Sequence, residues 1–261
     1  MLRWNGRAWE LQDLGSRNGT FVARRCLAIG ERAVLVAGDA LGFGSPDGFR
    51  LTTADPPAPF ATPASGGCPV ETIGGLLVLP DVQCPELMIH HTRDHGWAIE
   101  REGQVTTVTN GSIVETSVGS WRLSLPETLP STEEVGAGQL SIDNVSLLFR
   151  VSSDEENVEL LIFHGKTVLD LKVRTHHYPL LLLARARLLD GDSSPERQGW
   201  VQQSELCRQL RCEPDRLYID IFRMRRQLAD AGVADAGRIV ERRAGAGLIR
   251  IGVSRIEIGL L

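Results

Sequence analysis

His91 and His95 stand four residues apart, a spacing that would bring two imidazoles to one metal ion on a helix. Their surroundings read as strand and turn, where that spacing does not converge, so they are expected as solvent-exposed histidines and no metal is called for. The glycine-rich run GFGSPDG, Gly42 to Gly48, could cradle a phosphate if a helix followed it. A proline-rich stretch follows instead, so the run reads as a plain loop. Five cysteines, at 26, 68, 84, 207 and 212, are odd in number and form no C-x-x-C pair. They encode neither a disulfide framework nor a zinc site. With no Walker lysine, no G-x-S-x-G elbow and no carboxylates clustered on one element, the chain is not expected to be an enzyme or to need a cofactor.

Charge is the stronger signal. Residues 174–255 hold 15 Arg and no Lys against 10 Asp plus Glu, a net of +5, whereas the whole chain is −5. A basic third joined to an acidic remainder fits a region facing an acidic partner such as double-stranded DNA. A preference for Arg over Lys, which occurs only at 166 and 172, is a coding habit and does not explain that contrast in sign. No N-terminal leader pattern precedes an apolar run, and the longest apolar stretch, Pro179 to Ala184, is too short for a bilayer, so a cytoplasmic protein without membrane contact is expected.

At 261 residues the chain is long enough for two or three cores. Residues 1–51 alternate with a period near two and are cut by turns at Asn5-Gly6, Asn18-Gly19 and Gly38-Asp39. Short antiparallel strands follow from this, with Asn18-Gly19 closing a hairpin between strands ending near Leu14 and starting near Thr20. Residues 52–72 are crowded with Pro, Ala, Gly and Thr and read as a linker. Residues 73–130 show further short strands, a small β module. From 140 to 255 come a β meander, then a helix that Thr175 is positioned to cap, a second over 202–210, and a third opened by Pro214 and closed at Gly232. Two strands around Gly245 and Gly247 end the region. In the third helix Leu217, Ile221, Met224 and Leu228 form the buried stripe, leaving Asp220, Arg223 and Arg226 outside.

That order, carried by LLLLARARLLD, GWVQQSELCRQL, LYIDIFRMRRQL and RRAGAGLIRIG, resembles the OmpR/PhoB class of winged-helix DNA-binding domains over about residues 146–253. The resemblance implies that the third helix enters the major groove, with Arg223 and Arg226 facing it, and that Arg242, Arg243 and Arg250 serve the wing. Asp220 and Phe222 depart from the family at outward positions, and the Arg211–Glu213 connection is shorter than the family's polymerase-contacting loop. The alternative is a winged helix kept as a platform for protein contacts.

At the other end, WELQDLGSRNGTFV followed by LAIGERAVLVAGDALGFGS resembles the C-terminal half of a forkhead-associated (FHA) domain, the phosphothreonine-peptide reader. The resemblance implies a β-sandwich whose end loops carry the ligand, with Ser16, Arg17 and Asn18 facing the peptide. Leu11, Leu14, Phe21, Val22, Leu35 and Leu41 are then core or strand residues. The family's phosphate-binding Arg and Ser-x-x-His lie upstream of the Trp-x-Leu strand, and only eight residues precede Trp9 here. Phosphothreonine binding of the usual kind is therefore not expected of this chain. Either translation starts upstream of Met1, or an FHA remnant is retained for packing.

The fold class expected is thus multi-domain: an FHA-like β-sandwich portion, a small β module, and an α+β winged helix with an N-terminal meander. Two functions follow. One is a signal-responsive transcription regulator joining a phosphopeptide or protein interaction module to a DNA-binding domain. The other is a non-enzymatic adaptor in a Ser/Thr-kinase signalling pathway. Partners are then double-stranded DNA and a phosphorylated or unphosphorylated protein, and a homodimer is compatible with both.

Overall fold

The computed structural model describes residues 1–5, 7–93, 96–126 and 140–261. The described residues divide into two compact units, one of residues 1–58 with 125–126, the other of 59–124 with 140–261. Among the described residues, no helix is long and apolar enough to cross a membrane. The turn at Asn5-Gly6 and the His91/His95 pair each include a residue, Gly6 and His95, outside the described set.

Among its described residues the first unit holds seven short strands: β1 (Leu2–Trp4), β2 (Trp9–Gln12), β3 (Thr20–Val22), β4 (Arg25–Cys26), β5 (Arg32–Leu35), β6 (Ala40–Phe43) and β7 (Phe49–Arg50). They make two sheets, ordered β1-β2-β5 and β4-β3-β6-β7. Alternation decides what lies inside: Leu11, Val22, Leu27, Leu35 and Leu41 form the core, with Trp9, Ala33 and Leu51 against it. Each buried Leu or Val contributes about 1.5–3 kcal/mol. The register puts Arg3 opposite Glu10 and Glu10 opposite Val34 on the other face. Two expectations are corrected. Asn18-Gly19 closes no hairpin, because β2 and β3 belong to different sheets and the loop between them crosses from one to the other. Leu14, expected in the core or a strand, lies in that loop and is 67% exposed.

The second unit begins inside the expected linker. β8 (Phe60–Pro63) and β9 (Val70–Glu71) pair with each other, and β8 pairs with β15 (Gly119–Ser124), which also pairs with β14 (Ile113–Thr116). Composition hid these strands, since Pro and Ala are poor strand formers. Ala61 nevertheless sits opposite Leu123 and is fully buried, so tertiary pairing overrides propensity. A four-stranded antiparallel sheet follows from β10 (Leu77–Leu79), β11 (Leu87–Thr92), β12 (Gly96–Arg101) and β13 (Gln104–Thr107).

The rest of the unit is built on β16 (Ser146–Val151), β17 (Val158–His164) and β18 (Thr167–Val173). These are followed by α1 (His177–Leu189), β19 (Val201–Gln202), α2 (Gln203–Leu210), α3 (Pro214–Asp230), a 3-10 turn (Ala236–Ile239), β20 (Val240–Arg243), β21 (Leu248–Ile251) and β22 (Arg255–Leu260). β22, beyond the hairpin expected to end the region, runs parallel to β16 and completes the meander sheet. α1 starts after His176 with no side-chain cap, so Thr175 does not cap it. Pro214 opens α3 as expected, its missing N–H falling where a helix has no partner for it. Leu217, Ile221, Met224 and Leu228 point into the main core with Leu180, Leu181, Leu183 and Ala184 of α1.

α3 buries a second face. Tyr218 and Phe222 pack on Leu76, Val78 and Met88, and Phe222 is only 7% exposed instead of outward. The sheet β10–β13 therefore covers one flank of α3. The 3-10 turn also approaches this sheet closely: a Cβ on Gly237 would lie 2.6 Å from that of His90.

Candidate functional sites: the 13–19 loop and the outer face of α3

The loop after β2 is organised by Asp13, whose side chain is 3% exposed. Its Oδ1 accepts the Ser16 backbone N–H at 3.1 Å and the Thr20 hydroxyl at 2.9 Å, and the Thr20 and Ser16 hydroxyls lie 3.3 Å apart. Hydrogen bonding from Ser16, assisted by Thr20, holds the Asp13 carboxyl below its usual range. Gly19 takes φ +88°, and its carbonyl accepts the Gly44 N–H at 2.8 Å, tying this loop to the one after β6. The Gly30 N–H donates to the Asp13 carbonyl at 2.8 Å, which brings in the loop after β4. Ser16, Arg17 and Asn18 are all exposed along the loop. Other arginines nearby are engaged: Arg24 pairs with Asp47 at 3.1 Å and Arg25 with Glu31 at 2.6 Å. The loop is a rigid display of one serine, one guanidinium and one amide, suited to hydrogen bonding an extended backbone.

The arginines expected at DNA are distributed differently from their sequence pattern. Arg223 and Arg226 do reach the outer side of α3, with side chains 50% and 30% exposed. Each is met by a carboxylate of its own helix: Arg226 by Asp230 at 2.9 Å, and Arg223 by Asp220 at 3.7 Å, which also takes Arg216 at 3.1 Å. Asp220, expected outside, is 8% exposed and shielded by these two arginines. Two aspartates, at 220 and 230, thus meet three arginines, at 216, 223 and 226, on that side, and i,i+3 and i,i+4 spacing makes the pairing local.

Two of the three arginines expected to serve a wing turn inward. The Arg250 side chain is 4% exposed and bonds Glu241 at 2.7 Å, with further bonds to the carbonyls of Pro195 and Glu196. Arg242 is 4% exposed and meets Glu100 at 2.8 Å and Gln203. Only Arg243 is exposed, its guanidinium 4.6 Å from the Trp200 ring, whose other neighbour is Arg250 at 4.5 Å. Strand alternation and the neighbouring sheet account for this: Arg242 in β20 and Arg250 in β21 meet carboxylates inside the unit. For Arg242 and Arg250 the expectation of a DNA-facing wing is corrected.

Glu100 of β12 organises this interior and was missed in the sequence. It receives Arg225 of α3 at 2.7 Å and Arg242 of β20 at 2.8 Å, and both Glu100 and Arg225 are fully buried. His90 Nε2 lies 3.7 Å away. Burial alone would raise the Glu100 carboxyl, but Arg225 and then Arg242 overcome this and hold it well below its ordinary value. Burial, reinforced by Arg225, pushes His90 down and keeps it neutral. The signal available was the second stripe on α3, Tyr218, Phe222 and Arg225, at spacings of four and three.

Residues 1–44 match the family model of the FHA domain. No curated protein and no solved structure matches the chain.

Proposed function

We propose that the protein is a non-enzymatic interaction adaptor: the 13–19 loop docks an extended segment of a protein partner, and residues 140–255 form a winged-helix fold used as a platform for protein contacts. The FHA match over residues 1–44 supports the first part, since that family consists of phosphopeptide-binding modules. The winged-helix reading rests on element order, a meander, three helices and a hairpin. The observation that carries the choice of adaptor over DNA-binding regulator is the pairing of Arg223 and Arg226 with Asp220 and Asp230, together with the burial of the Arg242 and Arg250 side chains. DNA affinity is supplied mainly by cations free to replace counterions on phosphates, and these four are already engaged.

At the loop, Asn18 hydrogen-bonds the partner's backbone and Arg17 is the guanidinium left for an anionic side chain. A single guanidinium is weak support for a phosphate dianion compared with a set of charge-assisted donors. The test is retention of the full-length protein on matched threonine and phosphothreonine peptide libraries. Retention on both, differing by less than about tenfold, equivalent to 1.4 kcal/mol, is expected, with loss of both in Asn18→Ala. Retention that Asn18→Ala leaves intact would remove the loop from the interface.

A further inference from the structure

Cys207 and Cys212 bracket the end of α2, and the backbone there brings them together. The Cys212 N–H donates to the Cys207 carbonyl at 3.0 Å, the Arg211 N–H donates to the Arg208 carbonyl at 3.2 Å, and Arg211 adopts φ +50°. These two bonds around a left-handed residue are a Schellman closure, in which the side chain three places before the cap meets the one two places beyond it. Here both of those positions are cysteine. Cys207 is 7% exposed within the core, while Cys212 is half-buried and packs against that core. Burial and the neighbouring Cys212 thiol push the Cys207 thiol up, which leaves the better-exposed Cys212 as the group that meets a reagent first. All five cysteines are free thiols in this structure, and Cys26, Cys68 and Cys84 lie on other elements.

We propose that Cys207 and Cys212 are a reversible dithiol pair that a hydroperoxide converts to an intrachain disulfide. The Cys212 thiolate attacks one peroxide oxygen, the O–O bond breaks, and the departing hydroxide is protonated to water, leaving a sulfenic acid. The Cys207 sulfur then attacks the Cys212 sulfur and loses its proton. The displaced hydroxide takes up a proton and leaves as a second water. Two thiols and one hydrogen peroxide thus give one disulfide and two waters. The bridge closes the short turn through which α2 passes the chain to α3, and dithiothreitol restores both thiols.

The test is titration of the full-length chain with hydrogen peroxide, followed by capping of remaining thiols with N-ethylmaleimide under denaturing conditions and non-reducing tryptic mass spectrometry. Trypsin cuts after Arg208 and Arg211, between the two cysteines, so a bridge appears as two linked peptides. The expected result is that linked pair from monomeric protein, lost on reduction, in the wild type and in a triple variant Cys26→Ser, Cys68→Ser, Cys84→Ser. In Cys207→Ser, Cys212 is expected to advance to the sulfinic acid instead. Overturning results are a linkage between two copies, sulfinic acid on Cys212 beside a capped Cys207 in the wild type, or both thiols capped after peroxide has consumed Cys26, Cys68 and Cys84.

Discussion

Glu100 shows at the residue scale how charge is used in this protein. A carboxylate with no exposure is tolerable only because two guanidiniums meet it, and removing one member of such a cluster leaves the others buried without compensation. Glu100→Gln is expected to destabilise the second unit by about 3–5 kcal/mol, read as a melting temperature roughly 10 °C lower. Glu100 titrates lower folded than unfolded, so its contribution is complete above its ordinary value of 4.5 and is lost as pH falls through the lower folded value. His90, held neutral by burial, acts in the same direction below its ordinary 6.5, because the unfolded chain takes up the proton more readily. Melting temperature should therefore fall on acidification below about pH 6.5, and more steeply below 4.5. The steeper lower limb should be shallower in Glu100→Gln, and an unchanged limb would remove Glu100 as its source. Asp220, itself buried, offers a milder contrast, because its partners Arg216 and Arg223 keep about half of their side-chain surface in solvent and stay hydrated when it is neutralised. Asp220→Asn unpairs Arg216 and Arg223 on an exposed helix side, and chemical denaturation should register a loss of no more than about 1 kcal/mol.

At the scale of elements, residues 52–59 of the expected linker carry no strand and lie outside any strand pair, the second strandless run, 64–69, is closed between the paired β8 and β9, and 60–63 pair along their length with β15 and, at Phe60 and Ala61, with β9 as well. Limited proteolysis should first cut within 52–59 and spare 60–63 and α1 to α3, as judged by intact mass of the fragments. A first cut inside α3 would contradict the packing described for it. Much at this scale was legible in the sequence. Pro214 and Gly232 bracket α3 to within two residues, and the hairpin turns at Gly245 and Gly247 with φ of +70° and +62°. What was not legible depends on partners distant in the chain. β8 is strand only because β15 lies beside it, and Asn18-Gly19 looks like a hairpin until β2 and β3 are assigned to separate sheets. Phe222 reads as outward on a helix judged by one stripe, because its covering residues, Leu76, Val78 and Met88, lie far upstream in the chain.

Across the whole molecule, the arginines of residues 174–255 divide between interior and surface, three of the fifteen being buried and eight exposed. Arg187, Arg225 and Arg250 are at most 5% exposed, and among the arginines expected at DNA only Arg223, Arg226 and Arg243 keep exposed surface, two of them paired within α3. What separates the adaptor reading from the transcription-regulator reading is therefore the engagement of Arg223, Arg226, Arg242 and Arg250 by carboxylates of the same unit, and not the net charge of the region. The most direct measurement is fluorescence anisotropy of a labelled random-sequence duplex titrated with the full-length protein at low salt. No saturable binding is predicted in the micromolar range, where non-specific DNA-binding domains bind at physiological salt. Saturable binding that weakens with a log–log salt slope near −0.9 per phosphate contacted, and that Arg223→Ala or Arg226→Ala diminishes, would contradict the adaptor account and place α3 at the groove.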